Sequence, residues 1–469
     1  MKFIEKFLNG HIYPVLIILI GFLIWSYKYY IPSDALLTVS FYSLFLLSIP
    51  FFLIVFFFEN TIYTIPIVLV MLFSLGAPNM GLDTFDVALI GFLSIFLVVL
   101  GMIIHLIKFK VKIKLKTVGL SLVLAAISFF IPIFYNTFAL VGLMLALLGT
   151  LYLLIYLFYA NTIKGNQIHY LMRVFALLGL MLSFQIVGIW FVGLKSYTGT
   201  NIIADFINIF PGDELGLPGW GNMNDLTIHL VLFSSVVIYY LHKYPKHIFP
   251  WLFLGWVGFW IYVSNARGSM VTISIFALGA ILYAIFKRNK RQLINLAISV
   301  VLAVILLIIL EPLVKQVIDS FFNTIDFNDP NAMLTGRITL WIEHESSAFN
   351  ELLRNPIFGT GWYNDRFILA PSENRITIYH STIFQVLATG GIIGILILIY
   401  HFFSVYKLFR LHIKYKAVSA LLFTYLLSQF HGLMDNTQYM LHFSIVTYIA
   451  FAVIENIPLP STLNSEVNI

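Results

Sequence analysis

Three positions in this 469-residue chain pair a reactive side chain with a setting that is costly for it. Arg267 lies in Ser264-Asn265-Ala266-Arg267-Gly268-Ser269, where two apolar runs meet. An arginine at a membrane boundary is expensive enough to be a functional candidate by default, against the plainer use of a side chain snorkelling from a helix end. Arg337 opens the stretch RITLWIEHESSAFNELLR, residues 337–354, whose first helical turn would favour an anion through its unpaired N–H groups and dipole. His380 stands immediately before Ser381-Thr382, residues suited to cap the apolar helix that follows. An imidazole there could take a proton from a hydroxyl, its plainer use being an interfacial anchor. Guanidinium forks at Arg267 and Arg337 could hold phosphate bidentately.

The elements that carry these residues must be membrane-spanning helices. Hydrophobic residues make up 60% of the chain and charged residues 10%, whereas a soluble domain carries roughly 25% charged. Too few polar side chains exist to coat a water-facing surface, so a soluble globular protein is excluded. Apolar runs close to the roughly 20 residues needed to cross a bilayer recur from Ile12 to about residue 456, and they predict an all-α polytopic bundle of 12–14 spans. The first run is too long for a signal peptide and should stay attached as a span. Residues 1–456 are expected to form one transmembrane domain, and the polar, Pro-containing residues 457–469 a disordered cytoplasmic tail.

With the N-terminus placed in the cytoplasm, every basic loop falls in phase with the positive-inside rule. Of the 27 basic residues, all but Lys28, Lys195, Lys315, Arg267, Arg337, Arg354, Arg366 and Arg375 fall inside. Both termini are therefore expected in the cytoplasm. Arginine dominates only on the outer side, where it suits a phosphate-bearing ligand. The Lys108-to-Lys116 run, with lysine at every second position, suits an anionic inner membrane surface. Residues 314–380 form an outer loop too long for a passive connector. Within it, residues 337–354 place Ile338, Trp341, Ile342, Phe349, Leu352 and Leu353 on one face of an amphipathic helix, with Glu343, His344, Ser346, Ser347, Asn350 and Glu351 opposite. Next comes Asn355-Pro356-Ile357-Phe358-Gly359-Thr360-Gly361, whose glycines let the backbone turn sharply.

Several functions fall away on residue types alone. Cys 0 removes thiolate chemistry and thiolate-bound metals. The histidines are scattered without metal-ligand spacing, and no phosphate-cradling Walker loop is present. The net charge of +6 is explained by membrane orientation, so no nucleic acid partner is expected.

Taken together, ordered blocks resemble the O-antigen ligase and O-antigen polymerase superfamily of bacterial membrane glycosyltransferases. Residues 264–269 are similar to its Ser-x-Arg-Gly element, Gly336-Arg337 to Trp341 to Gly-Arg-x-x-x-Trp, and Asn355 to Gly361 to Asn-Pro-x-x-Gly-x-Gly. The stretch from His380 to Gly394 resembles the His-Asn block that runs into Gly-x-x-Gly, with Ser381 where asparagine is usual. The resemblance covers residues 222–394. It implies a polyprenyl-pyrophosphate-linked glycan donor, transfer to a sugar hydroxyl of a lipid-linked repeat or a core glycan, and no metal or other cofactor. In this reading Arg267 and Arg337 bind pyrophosphate and His380 is the general base. Lys195 and Arg366 are weaker candidates for the same anion, and Asp435 could orient the site. The setting implied is the outer face of a bacterial cytoplasmic membrane, in O-antigen, capsule or exopolysaccharide synthesis, beside other polysaccharide-pathway membrane proteins. The non-enzyme alternative is a flippase or other transporter of a lipid-linked glycan, which would bind the same pyrophosphate without needing a long structured outer loop.

Overall fold

Apolar runs of this length become helices because in hydrocarbon every backbone N–H and C=O must be satisfied within its own segment. The computed structural model describes residues 2–27, 33–75, 85–135, 139–202, 205–210, 223–322, 329, 331, 334, 336–361 and 379–459. Among the described residues the regular structure is entirely helical, and each of the expected apolar runs is helical. Among the described residues, six helices are long and apolar enough to cross a membrane, or seven if the pair Lys2–Asn9 and Ile12–Tyr27, bent by 62°, counts as one span. Shorter apolar helices such as Gly119–Phe134 and Leu441–Ile454 accompany them. The chain is an all-α multi-pass membrane protein.

The chain divides into two compact units, residues 1–112, 162–320 and 415–427 forming the first and residues 113–161, 321–414 and 428–469 the second. In the first unit, Ser33–Phe57 packs along Phe85–Lys108, and Ile12–Tyr27 packs along Ile65–Leu75 and Ile168–Ser196. Without water to drive helices together, close approach and polar contacts join them. Ser74 Oγ donates to the Gly21 carbonyl at 2.9 Å, Gln185 Nε2 to the Phe73 carbonyl at 3.1 Å, and Thr227 Oγ1 to Ser269 Oγ at 2.8 Å. Arg267–Lys287, which begins with a candidate residue, packs on Met223–Phe233 and Phe249–Val263.

The second unit is built around the helix Thr382–His412, which packs on Gly119–Phe130 and on Ala348–Arg354. Its polar end-piece is Glu455, just past Leu441–Ile454. Glu455 Oε1 accepts from Tyr156 Oη at 2.7 Å and from the Val118 N–H at 3.3 Å, while Oε2 accepts from Thr117 Oγ1 at 3.2 Å. A carboxylate from the last helix thus caps the start of Gly119–Phe130, where first-turn N–H groups lack helical partners. Residue 457, expected to begin the tail, is buried, and its carbonyl pairs with His412 Nε2 at 3.1 Å. The rest of the expected tail, residues 460–469, lies outside the described residues.

The single amphipathic helix expected over residues 337–354 is two pieces. A π-helical turn, Thr339–Glu343, ends at His344, and a separate helix, Ala348–Arg354, starts after Ser347, whose Oγ accepts the Asn350 N–H at 3.4 Å. Ser347 is an N-cap, and a capping residue inside a helical pattern restarts the helix. The faces also differ from a simple stripe. Ser346, Ser347 and Glu351 are buried, whereas Ile342, Phe349 and Leu353 are exposed. The polar side faces the unit and the apolar side faces outward, as a segment lying on lipid would.

Candidate functional site

A backbone break in the core helix of the second unit sets the site's geometry. Gly391 sits inside Thr382–His412 with φ 58° and ψ −156°, a conformation essentially restricted to glycine. The break leaves carbonyls and amides without helical partners, and the Gly-rich turn supplies them. The Thr360 N–H donates to the Ala388 carbonyl at 2.9 Å and the Gly361 N–H to the Thr389 carbonyl at 3.0 Å. In the opposite sense, the Ile392 N–H donates to the Pro356 carbonyl at 2.9 Å and the Ile393 N–H to the Ile357 carbonyl at 3.1 Å. A Cβ on Gly359 would lie 2.4 Å from the Thr389 carbonyl carbon, and one on Gly391 would lie 2.6 Å from the Gly359 nitrogen. Both glycines are therefore required by close backbone approach. Tyr135 Oη adds a bond to the Gly359 carbonyl at 2.7 Å.

One helix segment N-terminal to this break lies His380. Its φ of +47° is left-handed, a region in which histidine is one of the few tolerated residues with a side chain. Nδ1 stands 3.3 Å from Oδ1 of Asp435, a pairing across 55 residues. His380 is part exposed and Asp435 is buried. Burial alone would raise the Asp435 carboxyl. The hydrogen bond from His380, the charges of His431 and His380 and the Asn436 N–H outweigh it and hold Asp435 below its ordinary range. Ser381 occupies the N-cap position, but its hydroxyl makes no cap bond. Its N–H instead donates to Asn436 Oδ1 at 3.1 Å, and the hydroxyl of Thr382 accepts the Thr437 N–H at 3.0 Å.

Arg337 belongs to the same unit and is half-buried. Its Nη1 donates to the Leu334 carbonyl at 3.1 Å, and its own N–H donates to that carbonyl at 3.3 Å, so the expected open first turn is partly satisfied by the chain itself. Four residues on, Trp341 Nε1 donates to the Tyr379 carbonyl at 2.7 Å, which ties the Arg337 segment to the residue before His380. Arg267 and Lys195 belong to the first unit. Arg267 opens its helix after Asn265, which has φ +56°, and Ala266, whose carbonyl accepts the Met270 N–H at 2.9 Å. Lys195 is exposed in the last turn of Ile168–Ser196. Arg366 lies outside the described residues.

The structure thus joins His380 to Asp435 and brings the Arg337 segment beside them. It adds residues that the reading of the sequence passed over. Asn436, Thr437 and Gln438 follow Asp435, and all four are buried. A run of four polar residues between apolar helices was the available signal. Gln385, one turn inside the helix, is buried and accepts from the Tyr379 N–H at 3.1 Å and from Asn436 Nδ2 at 3.2 Å. Chemically, a part-exposed imidazole with Nδ1 turned to a carboxylate can accept a proton at Nε2, the arrangement in which a carboxylate fixes the tautomer of a base.

No curated protein matches the chain. A family model described as O-antigen ligase matches residues 252–399, which hold Arg267, Arg337, Arg366 and His380 and stop short of Asp435. Over that segment the chain is similar to the O-antigen ligase family, in line with the superfamily that its motifs resemble.

Proposed function

We propose that this protein transfers a glycan from a polyprenyl-pyrophosphate-linked donor to a hydroxyl of a glycan acceptor, on the outer face of a bacterial cytoplasmic membrane, in the synthesis of O-antigen, capsule or exopolysaccharide. The observation that carries the reading is the pair made by His380 and Asp435 at the head of the broken helix, within and just beyond the family segment. In the reaction, the acceptor oxygen forms a bond to the anomeric carbon while the bond from that carbon to the pyrophosphate oxygen breaks. The acceptor proton passes to His380 Nε2, and the pyrophosphate leaves on its lipid. Asp435 fixes the tautomer of His380 and stabilises the imidazolium that forms. Arg337 neutralises charge developing on the pyrophosphate. Arg267 is assigned the same anion on the strength of its motif, with Lys195 and Arg366 in lesser parts. The chemistry calls on no metal or nucleotide cofactor. The acceptor is a second lipid-linked repeat in a polymerase and a finished core glycan in a ligase. Both termini are assigned to the cytoplasm, residues 1–456 to one transmembrane domain and residues 457–469 to a cytoplasmic tail.

Purified protein reconstituted with lipid-linked oligosaccharide and acceptor, read by mass spectrometry, tests this directly. New glycosidic product is expected, and His380→Ala should bind donor normally while losing about 10²- to 10⁴-fold in rate, the usual contribution of a positioned base. Wild-type protein that binds donor, moves it across the bilayer and forms no glycosidic bond would be a transporter.

A further inference from the structure

His380 holds a left-handed backbone conformation, φ +47°, that still costs a residue with a Cβ free energy and that the surroundings must offset. The stabilising contacts are visible on the backbone of its two neighbours, Tyr379 and Ser381. The Tyr379 carbonyl accepts the Trp341 indole N–H at 2.7 Å, and the Tyr379 N–H donates to Gln385 Oε1 at 3.1 Å. On the far side, the Ser381 N–H donates to Asn436 Oδ1 at 3.1 Å. Asn436 Nδ2 donates to Gln385 Oε1 at 3.2 Å and closes a ring of side-chain amides around the residue. The Asn436 N–H also donates to Asp435 Oδ1 at 2.8 Å, the oxygen that faces His380. Gln385 and Asn436 are buried, and Trp341 is stacked on Phe384 with centroids 4.6 Å apart and planes at 14°.

Side chains from three separated segments converge on the backbone of the two residues that flank His380, where backbone pairing or water would satisfy the same groups more simply. We infer that Trp341, Gln385 and Asn436 are positioning residues for His380, gripping the chain on both its sides so that the imidazole meets Asp435 with its other nitrogen turned to the acceptor. Trp341 sits on the π-helical turn that follows Arg337, so the same grip keeps the anion-binding segment in register with the base. π-Helical turns recur at functional sites. The inference rests on His380 being the base.

Trp341→Phe tests it, because it keeps a smaller aromatic ring to stack on Phe384 and removes the N–H donor. The expected result is a fall in kcat of about 10- to 100-fold, the scale on which small misplacements of a reacting group act, with the donor KM and the thermal unfolding midpoint unchanged. Gln385→Leu should fall similarly, and Gln385→Glu, which keeps an accepting oxygen, should recover most of the rate. In a His380→Ala background Trp341→Phe should cost nothing further, because no base is left to position. If Trp341→Phe turns over like the parent, or loses the same factor with and without His380, the positioning role is overturned while His380 stands as base. Full turnover by His380→Ala would instead remove His380 as base, and with it the reading on which the positioning role rests. Should Gln385→Leu fail to accumulate, Trp341→Phe decides the matter.

Discussion

The pairing of His380 with Asp435 makes a pH signature available at a single carboxyl. Asp435 is held below its ordinary value of 3.8 by His380, His431 and the Asn436 N–H, in spite of burial. A carboxyl depressed in the folded state adds stability that is fully present above its unfolded value and is lost as pH falls through the lower folded value. Asp435 should therefore stay charged, and its bond to His380 intact, at neutral pH and into mild acid. Asp435→Asn should lower the unfolding midpoint at pH 7 and flatten its decline below about pH 4, which thermal denaturation in detergent across pH would measure. An equally steep acid decline in both proteins would show that other carboxyls control it. The arginines give a second residue-scale outcome. Arg337→Lys and Arg267→Lys each keep a charge and lose the planar fork, and each should cut turnover by about 10²-fold or more, as loss of a transition-state charge contact does. Parental turnover by both lysine variants at normal expression would assign these arginines to structure.

At the scale of elements, the Gly-rich turn and the broken helix form one unit of backbone pairing. Neither glycine can be replaced without forcing backbone apart. Gly391→Ala pays for its ψ of −156° at positive φ with about 1–3 kcal/mol from the backbone alone, before the clash with Gly359 and Ile357 is counted. The variant should lower the unfolding midpoint and turnover together. Gly255→Ala is the internal control, since nothing lies within 4 Å of its added Cβ in the helix Phe249–Val263. It should stay within about 1 kcal/mol of the parent. Equal destabilisation by both changes would mean that generic glycine loss, and not the docking of the turn, sets the cost. The interrupted amphipathic segment belongs to this scale too. Periodicity over residues 337–354 shows an apolar stripe, yet the restart after His344 depends on Ser347 using its hydroxyl as a cap.

For the whole molecule the testable property is sidedness. The natural chain contains no cysteine, so single cysteines can be introduced without background. Glu345→Cys, at an exposed position in the long loop, should react with an impermeant maleimide in intact cells, and Lys112→Cys should react only after permeabilisation. The opposite pattern would invert the topology and place His380 on the cytoplasmic side.

Composition and hydropathy by themselves determined that this is a multi-pass helical membrane protein, because burying a run of apolar residues in lipid leaves the backbone no alternative to a helix. The order of the Arg267, Arg337, Asn355-to-Gly361 and His380 blocks was also readable, since it is a property of the chain. Tertiary structure alone decided that Asp435 meets His380, that Gly391 breaks its helix so the turn can pair with it, and that Gln385 and Asn436 fold their amides around the left-handed residue. Local periodicity encodes which face of a helix is apolar, and it carries no record of which polar groups, dozens of residues apart, will be left to satisfy one another once those faces are packed.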